Sequence, residues 1–170
     1  QKIAKIAIDH INDGMTLFLD SSTTVYTLAL ELKNFNNLKI ITNGLKTAIA
    51  LSEYPGIKVY CTGGFLKDNH KSLIGVSALE FISRYHADIS FLSCRGFNRD
   101  IGATDSSEEE YYIKNKFIAN SNKVILLFDS SKMDQNFMCK LGTAQSFNHI
   151  ITENKGLNIE LNKLTKQANL

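Results

Sequence analysis

The sequence is poor in the residues that mark linkers, disulfide frameworks and membrane spans. Its 170 residues include one proline and three cysteines, and no apolar run approaches the ~20 residues of a membrane-spanning helix. Cys61, Cys94 and Cys139 are odd in number and widely spaced, which disfavours disulfide pairs and a C-x-x-C redox or zinc site. The first residues alternate charged and apolar side chains, unlike a signal peptide. We therefore expect one cytoplasmic domain over residues 1–170, without membrane contact.

Metal binding and direct DNA binding are also disfavoured. The histidines, His10, His70, His86 and His149, are scattered, and none forms the H-x-x-x-H pair that places two ligands on one helix face. The net charge is only +2 and the basic residues are dispersed, whereas a duplex-binding surface needs clustered cations. We expect no metal and no other cofactor.

Short apolar runs alternate with helical patterns along the chain. Strands are predicted over 15–19, 38–41, 57–61, 88–92, 123–128 and 149–152. Helices are predicted over 2–12, from 21–24 to 32, and over 45–51, 76–85 and 107–119. A loop through Asn69 and Lys71 is expected before Ser72, and the tail beyond Asn154 has only weak helical character. This alternation predicts an α/β fold, an open and mostly parallel sheet with helices on both faces.

Small polar residues follow the predicted strands, where ligands bind in open parallel sheets. These candidate segments are Asp20-Ser21-Ser22-Thr23-Thr24, Thr42-Asn43-Gly44, Thr62-Gly63-Gly64, Ser93-Cys94-Arg95-Gly96 and Asp129-Ser130-Ser131-Lys132. The hydroxyls of the first segment open a helix, so they suit an anion, although one of them can simply cap that helix. Gly63-Gly64 allows a close approach to a ligand, or only a turn.

Charged residues offer a second set of candidates, again with two interpretations. Glu110 and Lys114 lie one helical turn apart and can share a pocket. However, Ser107-x-x-Glu110 also matches a capping box, and the spacing of Glu110 and Lys114 also matches an ordinary ion pair on the surface of a helix. Lys132 is suited to neutralising a phosphate or to being solvated. Catalysis would need an acid–base pair, for which Glu110, Asp20 and Lys114 are candidates. Cys94 has no histidine near it in sequence and makes a poor nucleophile.

The order and spacing of these motifs resemble the C-terminal effector domain of DeoR-type transcriptional repressors. The matching segments run from residue 1 to about 152 and are Asp20–Thr24, Ile41–Asn43, Gly63–Leu66, Ser72–Gly75, Ala87–Gly96, Gly102–Thr104, Glu110–Lys114 and Asp129–Lys132. The family's Ser-Gly-Thr-Thr is Ser21-Ser22-Thr23-Thr24 here, so a hydroxyl replaces the glycine of its tightest backbone approach. Arg95 stands where a smaller residue is usual and can add a positive contact.

The resemblance implies a fold like that of ribose-5-phosphate isomerase and CoA transferases, and a non-enzymatic sensor. It implies binding of a phosphorylated sugar or polyol, a homo-oligomer, and contact with operator DNA only through an N-terminal winged helix-turn-helix. That domain is expected to be absent from this chain, with residues 1–13 as the linking helix. The alternative is a sugar-phosphate isomerase or deaminase of the same fold. The expected ligand-binding residues are Asp20, Ser21, Ser22, Thr23, Thr24, Asn43, Gly44, Gly63, Gly64, Ser93, Arg95, Gly96, Glu110, Lys114 and Lys132.

Overall fold

A computed structural model describes residues 1–67 and 71–166 of the chain. Asn69 and His70, considered above, lie outside the described residues, as does the end of the C-terminal tail. The strands are β1 (Thr16–Leu19), β2 (Leu38–Thr42), β3 (Ile57–Cys61), β4 (Phe65–Lys67), β5 (Ser72–Ile74), β6 (Ala87–Leu92), β7 (Gly96–Asn98), β8 (Gly102–Asp105), β9 (Ser121–Leu127), β10 (Cys139–Gly142) and β11 (His149–Ile151). The helices are α1 (Lys2–Ala7), α2 (Thr23–Leu30), α3 (Leu45–Ser52), α4 (Val76–Ile82), α5 (Glu108–Ala119) and α6 (Lys155–Thr165).

Six strands form one parallel sheet in the order β11-β9-β6-β1-β2-β3. Every neighbouring pair runs parallel, and Leu17 at the centre is in register with Ile40 on one side and Ile89 on the other. The prediction of an open, mostly parallel sheet is therefore confirmed, and each predicted strand corresponds to a strand of this sheet.

Side chains alternate between the two faces of the sheet, and helices cover both. Leu17 and Leu19 of β1 pack with residues of α1, α2 and α3. Phe18, between them, packs on the other face with α4, α5 and α6, and its ring stacks on Phe117 with the centroids 4.7 Å apart. Because both faces are buried, the stretches 17–19 of β1 and 124–127 of β9 consist of apolar residues without polar alternation.

Three parts of the fold were not predicted. Strands β4 and β5 form an antiparallel hairpin where a loop was expected, and β7, β8 and β10 form a small antiparallel sheet. These strands have only three or four residues each, too few to show an alternating pattern. The tail contains α6, which Asn154 caps and whose Leu161 is buried against the sheet. Helices α1 and α4 are also shorter than expected, and α1 gives way to a 3-10 turn at Ile8–His10.

Candidate functional site

A cleft of about 650 Å³ opens where the carboxyl ends of β1 and β6 meet the first turns of α2 and α5. Segments that are far apart in sequence contribute to it, including the β6–β7 connection, one residue of β4 and one residue of the 3-10 turn Ser130–Lys132 that follows β9. Its lining residues are Ser21, Ser22, Thr23, Lys67, Ser93, Cys94, Arg95, Asp105, Ser106, Ser107, Glu108, Glu109, Glu110, Lys114, Lys132 and Met138. Most of these side chains are polar, as expected for a site that binds a hydrophilic ligand.

The hydroxyl run at the start of α2 is divided between two roles. Ser22 is the N-cap of the helix, and its Oγ accepts the N–H of Val25 at 3.2 Å. The capping interpretation is therefore confirmed for Ser22. Ser21, Ser22 and Thr23 line the cleft, whereas Thr24 is outside its lining among the described residues. The first N–H groups of a helix have no helical acceptor, so those of Thr23 and Thr24 remain available at this end.

Asp20 lies beneath the cleft and joins two of its loops. The side chain is completely buried, and its Oδ1 accepts the N–H of Ser22 at 2.9 Å while Oδ2 accepts the N–H of Ser93 at 2.8 Å. The predicted ligand residue Asp20 therefore holds the β1–α2 and β6–β7 connections in fixed positions from below, instead of lining the cleft.

Lys114 forms a buried ion network with two carboxylates. Its Nζ lies 2.6 Å from Oδ2 of Asp105 and 3.6 Å from Oδ2 of Asp20, and it donates to the carbonyl of Ser93 at 2.8 Å. Burial alone would lower the pKa of Lys114, but the two carboxylates outweigh burial and raise that pKa above its ordinary value. The surface-pair interpretation of Lys114 with Glu110 is wrong, because this face of α5 packs on the sheet and Asp105 arrives from the unpredicted strand β8.

The start of α5 makes half of the predicted capping box. Ser107 is the N-cap, and its Oγ accepts the N–H of Glu110 at 3.3 Å. The Glu110 carboxylate does not complete the box but accepts the hydroxyl of Ser21 at 3.3 Å through Oε2. Glu110 and Lys114 both line the cleft, as expected if the two residues share a pocket. The contact with Ser21 joins the first turn of α5 to the segment that precedes α2.

Further cations surround the buried network. Arg95 is exposed at the cleft, and Nζ of Lys132 lies 3.3 Å from the hydroxyl of Ser93 and 3.9 Å from Oδ2 of Asp129. Opposite charges are thus mixed throughout the lining. The cationic lining residues are Lys67, Arg95, Lys114 and Lys132, and the acidic ones are Asp105, Glu108, Glu109 and Glu110.

Cys94 lines the cleft, but its thiol has low reactivity. Its side chain is buried, and burial raises the pKa of the thiol to about 12 despite the nearby charges of Lys114 and Lys132. A thiol that stays protonated at neutral pH is a poor nucleophile. Within residues 1–67 and 71–166, no three His, Cys, Asp or Glu side chains are grouped to hold a metal ion.

Comparison with known proteins identifies the family to which this architecture belongs. The DeoR C-terminal sensor domain matches residues 1–154. The chain belongs to this family. It is 36% identical over 170 residues to the HTH-type transcriptional regulator GolR of Listeria innocua, covering 100% of the chain and 66% of the relative. The glycerol-3-phosphate regulon repressor of Escherichia coli is 31% identical over 153 residues, which cover 90% of the chain and 61% of that repressor. The chain therefore spans less than two thirds of the length of either relative.

Solved structures confirm the fold expected for a DeoR sensor domain. Ribose 5-phosphate isomerase A of Methanocaldococcus jannaschii aligns with a TM-score of 0.57 and 18% identity, over 78% of this chain and 52% of the isomerase. The delta subunit of eIF2B of Chaetomium thermophilum aligns with a TM-score of 0.63 and 19% identity, over 91% of this chain and 55% of that chain. At such identities the likeness shows the fold alone. In the described part of the sensor domain, no helix is long and apolar enough to cross a bilayer.

Several expected ligand residues of the sensor domain make contacts within the protein instead. Asn43 is buried, and its Nδ2 donates to Oγ of Ser72 at 3.1 Å and to the carbonyl of Leu73 at 3.2 Å, so it ties β2 to β5. Gly44 lies so close to the β1–α2 connection that an added Cβ would be 3.0 Å from Cα of Ser21. Neither residue belongs to the described lining of the cleft.

The other predicted glycines serve turns and close backbone packing. Gly63 and Gly64 have φ values of +66° and +103°, and a Cβ on Gly64 would lie 2.5 Å from the carbonyl oxygen of Ile74. Gly96 packs equally closely, since a Cβ there would be 2.2 Å from the carbonyl oxygen of Gln135. The described lining of the cleft includes none of the three. The turn interpretation of Gly63-Gly64 is confirmed by these positive φ values.

The sequence did not predict the cleft residues that lie on or beside β4, β8 and β10 and at the start of α5. Besides Cys94, the lining residues not predicted as ligand contacts are Lys67, Asp105, Ser106, Ser107, Glu108, Glu109 and Met138. A signal for Asp105 was nevertheless present, because Asp105-Ser106-Ser107 repeats the Asp-Ser-Ser pattern of the segments that begin at Asp20 and Asp129. The Oδ1 atom of Asp105 accepts the N–H of Ser106 at 2.8 Å, as Asp20 does for its own loop.

Proposed function

We propose that this chain is the effector-binding domain of a cytoplasmic transcriptional regulator, and that its cleft binds a phosphorylated sugar or polyol. The family assignment supports a sensor, and one relative is named as a repressor of a glycerol-3-phosphate regulon. Effector binding would change the affinity for operator DNA of a separate N-terminal domain within a homo-oligomer. Coupling of this kind requires only that the ligand bind two arrangements of the protein with different affinities.

The start of α2 is the observation that carries the proposal. Its first turn, which the structure describes in full, has no acidic residue, and the buried carboxylate of Asp20 that precedes it already accepts the N–H groups of Ser22 and Ser93. The N–H groups of Thr23 and Thr24 and the hydroxyl of Thr23 are the donors that an anion can use at such a position. Arg95 and Lys132 bring positive charge from the ends of other strands to the same cleft. A phosphate group satisfies all of these donors together.

The start of α5 differs and suits the uncharged part of the ligand. Its first turn consists of Glu108, Glu109 and Glu110, which neutralise the helix dipole and repel a phosphate. Carboxylates accept hydrogen bonds from sugar and polyol hydroxyls. We therefore place the phosphate at α2 and hydroxyl groups toward Glu110.

The isomerase alternative is less well supported by the same geometry. Isomerisation needs a base within hydrogen-bond reach of a carbon-bound proton of the substrate. Asp20 is buried beneath the cleft, Asp105 is paired with Lys114 at 2.6 Å, and Glu110 accepts the hydroxyl of Ser21. Each candidate carboxylate is thus engaged by donors of the protein, which suits recognition better than proton transfer.

A thermal-shift panel tests the proposed function. The panel contains phosphorylated ketoses, aldoses and polyols, each beside its free sugar or polyol. At a hundredfold excess over Kd, a bound ligand stabilises the fold by about 2.7 kcal/mol, which corresponds to a rise in Tm of roughly 5–10 °C for a domain of this size. Only phosphorylated compounds should raise Tm.

Neighbouring threonines provide a matched pair of variants for this panel. Thr23→Val removes a hydroxyl that lines the cleft and should reduce the shift, whereas Thr24→Val removes one outside the lining and should leave it unchanged. A panel without any phosphate-dependent shift, or an undiminished shift in Thr23→Val, would contradict the proposal. If NMR showed enzyme-like conversion of a stabilising ligand, lost in Glu110→Gln, the isomerase would be favoured.

A further inference from the structure

Lys67 brings a cation to the cleft from outside the six-stranded sheet. It ends β4, and its Nζ lies 3.0 Å from Oε2 of Glu109 and in contact with the hydroxyl of Ser107, the N-cap of α5. The Lys67 side chain is 23% exposed, whereas that of Glu109 is 55% exposed. Both side chains line the cleft, and the lysine is the less exposed of the two.

The ion pair of Lys67 and Glu109 contributes little to the stability of the fold. An exposed ion pair contributes about 0–1 kcal/mol to folding, yet this one is built from a strand and a helix start that both border the cleft. Hydrogen bonds from the backbone of Glu109 and from Ser107, followed by Lys67, lower the pKa of Glu109 to about 2. Glu109 therefore remains an anion at neutral pH, and Lys67 remains paired when no ligand is bound.

We propose that Lys67 binds the phosphate of the effector and that Glu109 is its internal competitor. The inference rests on the proposed function. The hydroxyl of Ser21 donates to Glu110 at 3.3 Å, which brings the starts of α2 and α5 side by side. A lysine has a flexible four-carbon stem, so rotation of the Lys67 side chain can carry its ammonium from α5 toward a phosphate at α2.

A phosphate is the better partner for this ammonium. It carries roughly −1.5 to −2 charges and several acceptor oxygens, whereas Glu109 carries one charge and is mostly in solvent. The exchange keeps Lys67 paired in both states. Its consequence is that Glu109 weakens ligand binding in the wild type, because the Lys67–Glu109 pair must break before Lys67 contacts the ligand.

A double-mutant cycle tests this competition. The Kd for inorganic phosphate, ribose 5-phosphate and glycerol 3-phosphate is measured at constant pH and ionic strength for the wild type, Lys67→Met, Glu109→Gln and the double variant. Loss of a charge-assisted hydrogen bond should weaken binding about tenfold in Lys67→Met. Glu109→Gln should tighten binding about threefold, and this gain should largely disappear when Lys67 is also replaced.

Two control variants separate the competition from general electrostatics. Glu108→Gln removes a carboxylate from the same helical turn, one that accepts the hydroxyl of Tyr112 rather than the Lys67 ammonium. Its effect on Kd should be the same with and without Lys67. Lys71→Met removes an exposed lysine that precedes β5 and is outside the lining, and it should leave Kd unchanged.

The outcomes distinguish this inference from the function on which it rests. If the wild type binds none of the phosphates, the proposed function fails and this inference fails with it. If the wild type binds them and Lys67→Met binds equally well, only the role of Lys67 is overturned. An equal gain from Glu109→Gln in both backgrounds would overturn the competition and leave a long-range charge effect.

Discussion

The two ends of the six-stranded sheet differ in how they accommodate buried ionisable side chains. At the carboxyl ends, Lys114 is buried with Asp105 and Asp20, so opposite charges stabilise one another in the ionised form. At the amino ends of β9 and β11, the rings of His10 and His149 lie with their centroids 4.6 Å apart. Burial lowers the pKa of both histidines, and neighbouring positive charges lower it further. One end is therefore ionised and the other neutral at the same pH.

This difference separates recognition from pH response. The charges of the buried network hold the cleft loops through Asp20 and the carbonyl of Ser93, and the pKa of Lys114 is raised further above neutral pH by its carboxylate partners. The histidine pair lies far from those loops in the sheet and joins the 3-10 turn after α1 to β11. A change of pH between 7 and 5.5 should thus affect the packing of the N-terminal segment before it affects the cleft.

Replacing Lys114 should disrupt the buried ion network at the carboxyl ends of the strands and cause the largest loss of stability. Lys114→Met leaves Asp20 and Asp105 buried without a cation, and loss of one partner from a buried network costs about 3–5 kcal/mol of unfolding free energy. Chemical denaturation measures this loss. The matched control is Lys116→Met, which removes a half-buried lysine from the same helix and should change stability by less than about 1 kcal/mol.

A second replacement shows whether unpaired charge is the cause. Lys114→Met combined with Asp105→Asn restores the original net charge of the network and should be more stable than Lys114→Met alone. If the double variant were the less stable of the two, lost packing of the lysine stem would explain the effect better than charge.

The sequence predicted those parts of the fold whose signal is local. Strands β1 and β9 contain uninterrupted apolar runs, at 17–19 and 124–127, and the segment 21–24 opens α2 as predicted. The cleft cations Arg95 and Lys132 follow the same pattern, because they stand at the ends of predicted strands.

Other parts depend on contacts that no local pattern contains. The spacing of Glu110 and Lys114 is the same in an exposed helix and in one packed on a sheet, so it did not distinguish a surface pair from the shared pocket that the structure shows. Asp105 ends β8, whose sequence Gly-Ala-Thr-Asp lacks apolar alternation, and Lys67 ends a strand of three residues. These residues reach the cleft only through pairing between distant segments of the chain.

Alkylation of the cysteines measures how well the carboxyl end of the sheet protects Cys94. Burial holds the pKa of Cys94 at about 12, against an ordinary value of 9.0, so its thiolate fraction should be about a thousandfold lower than that of an ordinary thiol. Iodoacetamide at pH 8 should modify the half-buried Cys61 and Cys139 of the native protein and spare Cys94. Peptide mass spectrometry gives the order, and equal rates for Cys94 and Cys139 would show that the cleft floor opens in solution.

The smallest effect is expected at the amino end, and its sign follows from linkage. The native pKa values of His10 and His149 lie below the ordinary value of 6.5, so the unfolded chain binds protons more readily than the native protein. The stabilising contribution of neutral histidines is complete above pH 6.5 and is lost as the pH falls through the native pKa values. The wild type should therefore have a lower Tm at pH 5.5 than at pH 7.5.

Comparison with His10→Gln/His149→Gln isolates this contribution from the titration of carboxylates, which both proteins share. The double variant should lose less Tm than the wild type between pH 7.5 and pH 5.5, by a few degrees at most, because both rings are partly solvated. Asp9 opposes the shift at His10, whereas Lys123 lowers the pKa of both histidines and Lys166 lowers that of His149. Lys123→Gln should accordingly reduce the pH dependence without abolishing it, since burial is the largest cause at each ring. Equal pH dependence in the wild type and the double variant would mean that the two histidines are solvated and that the amino end carries no pH response.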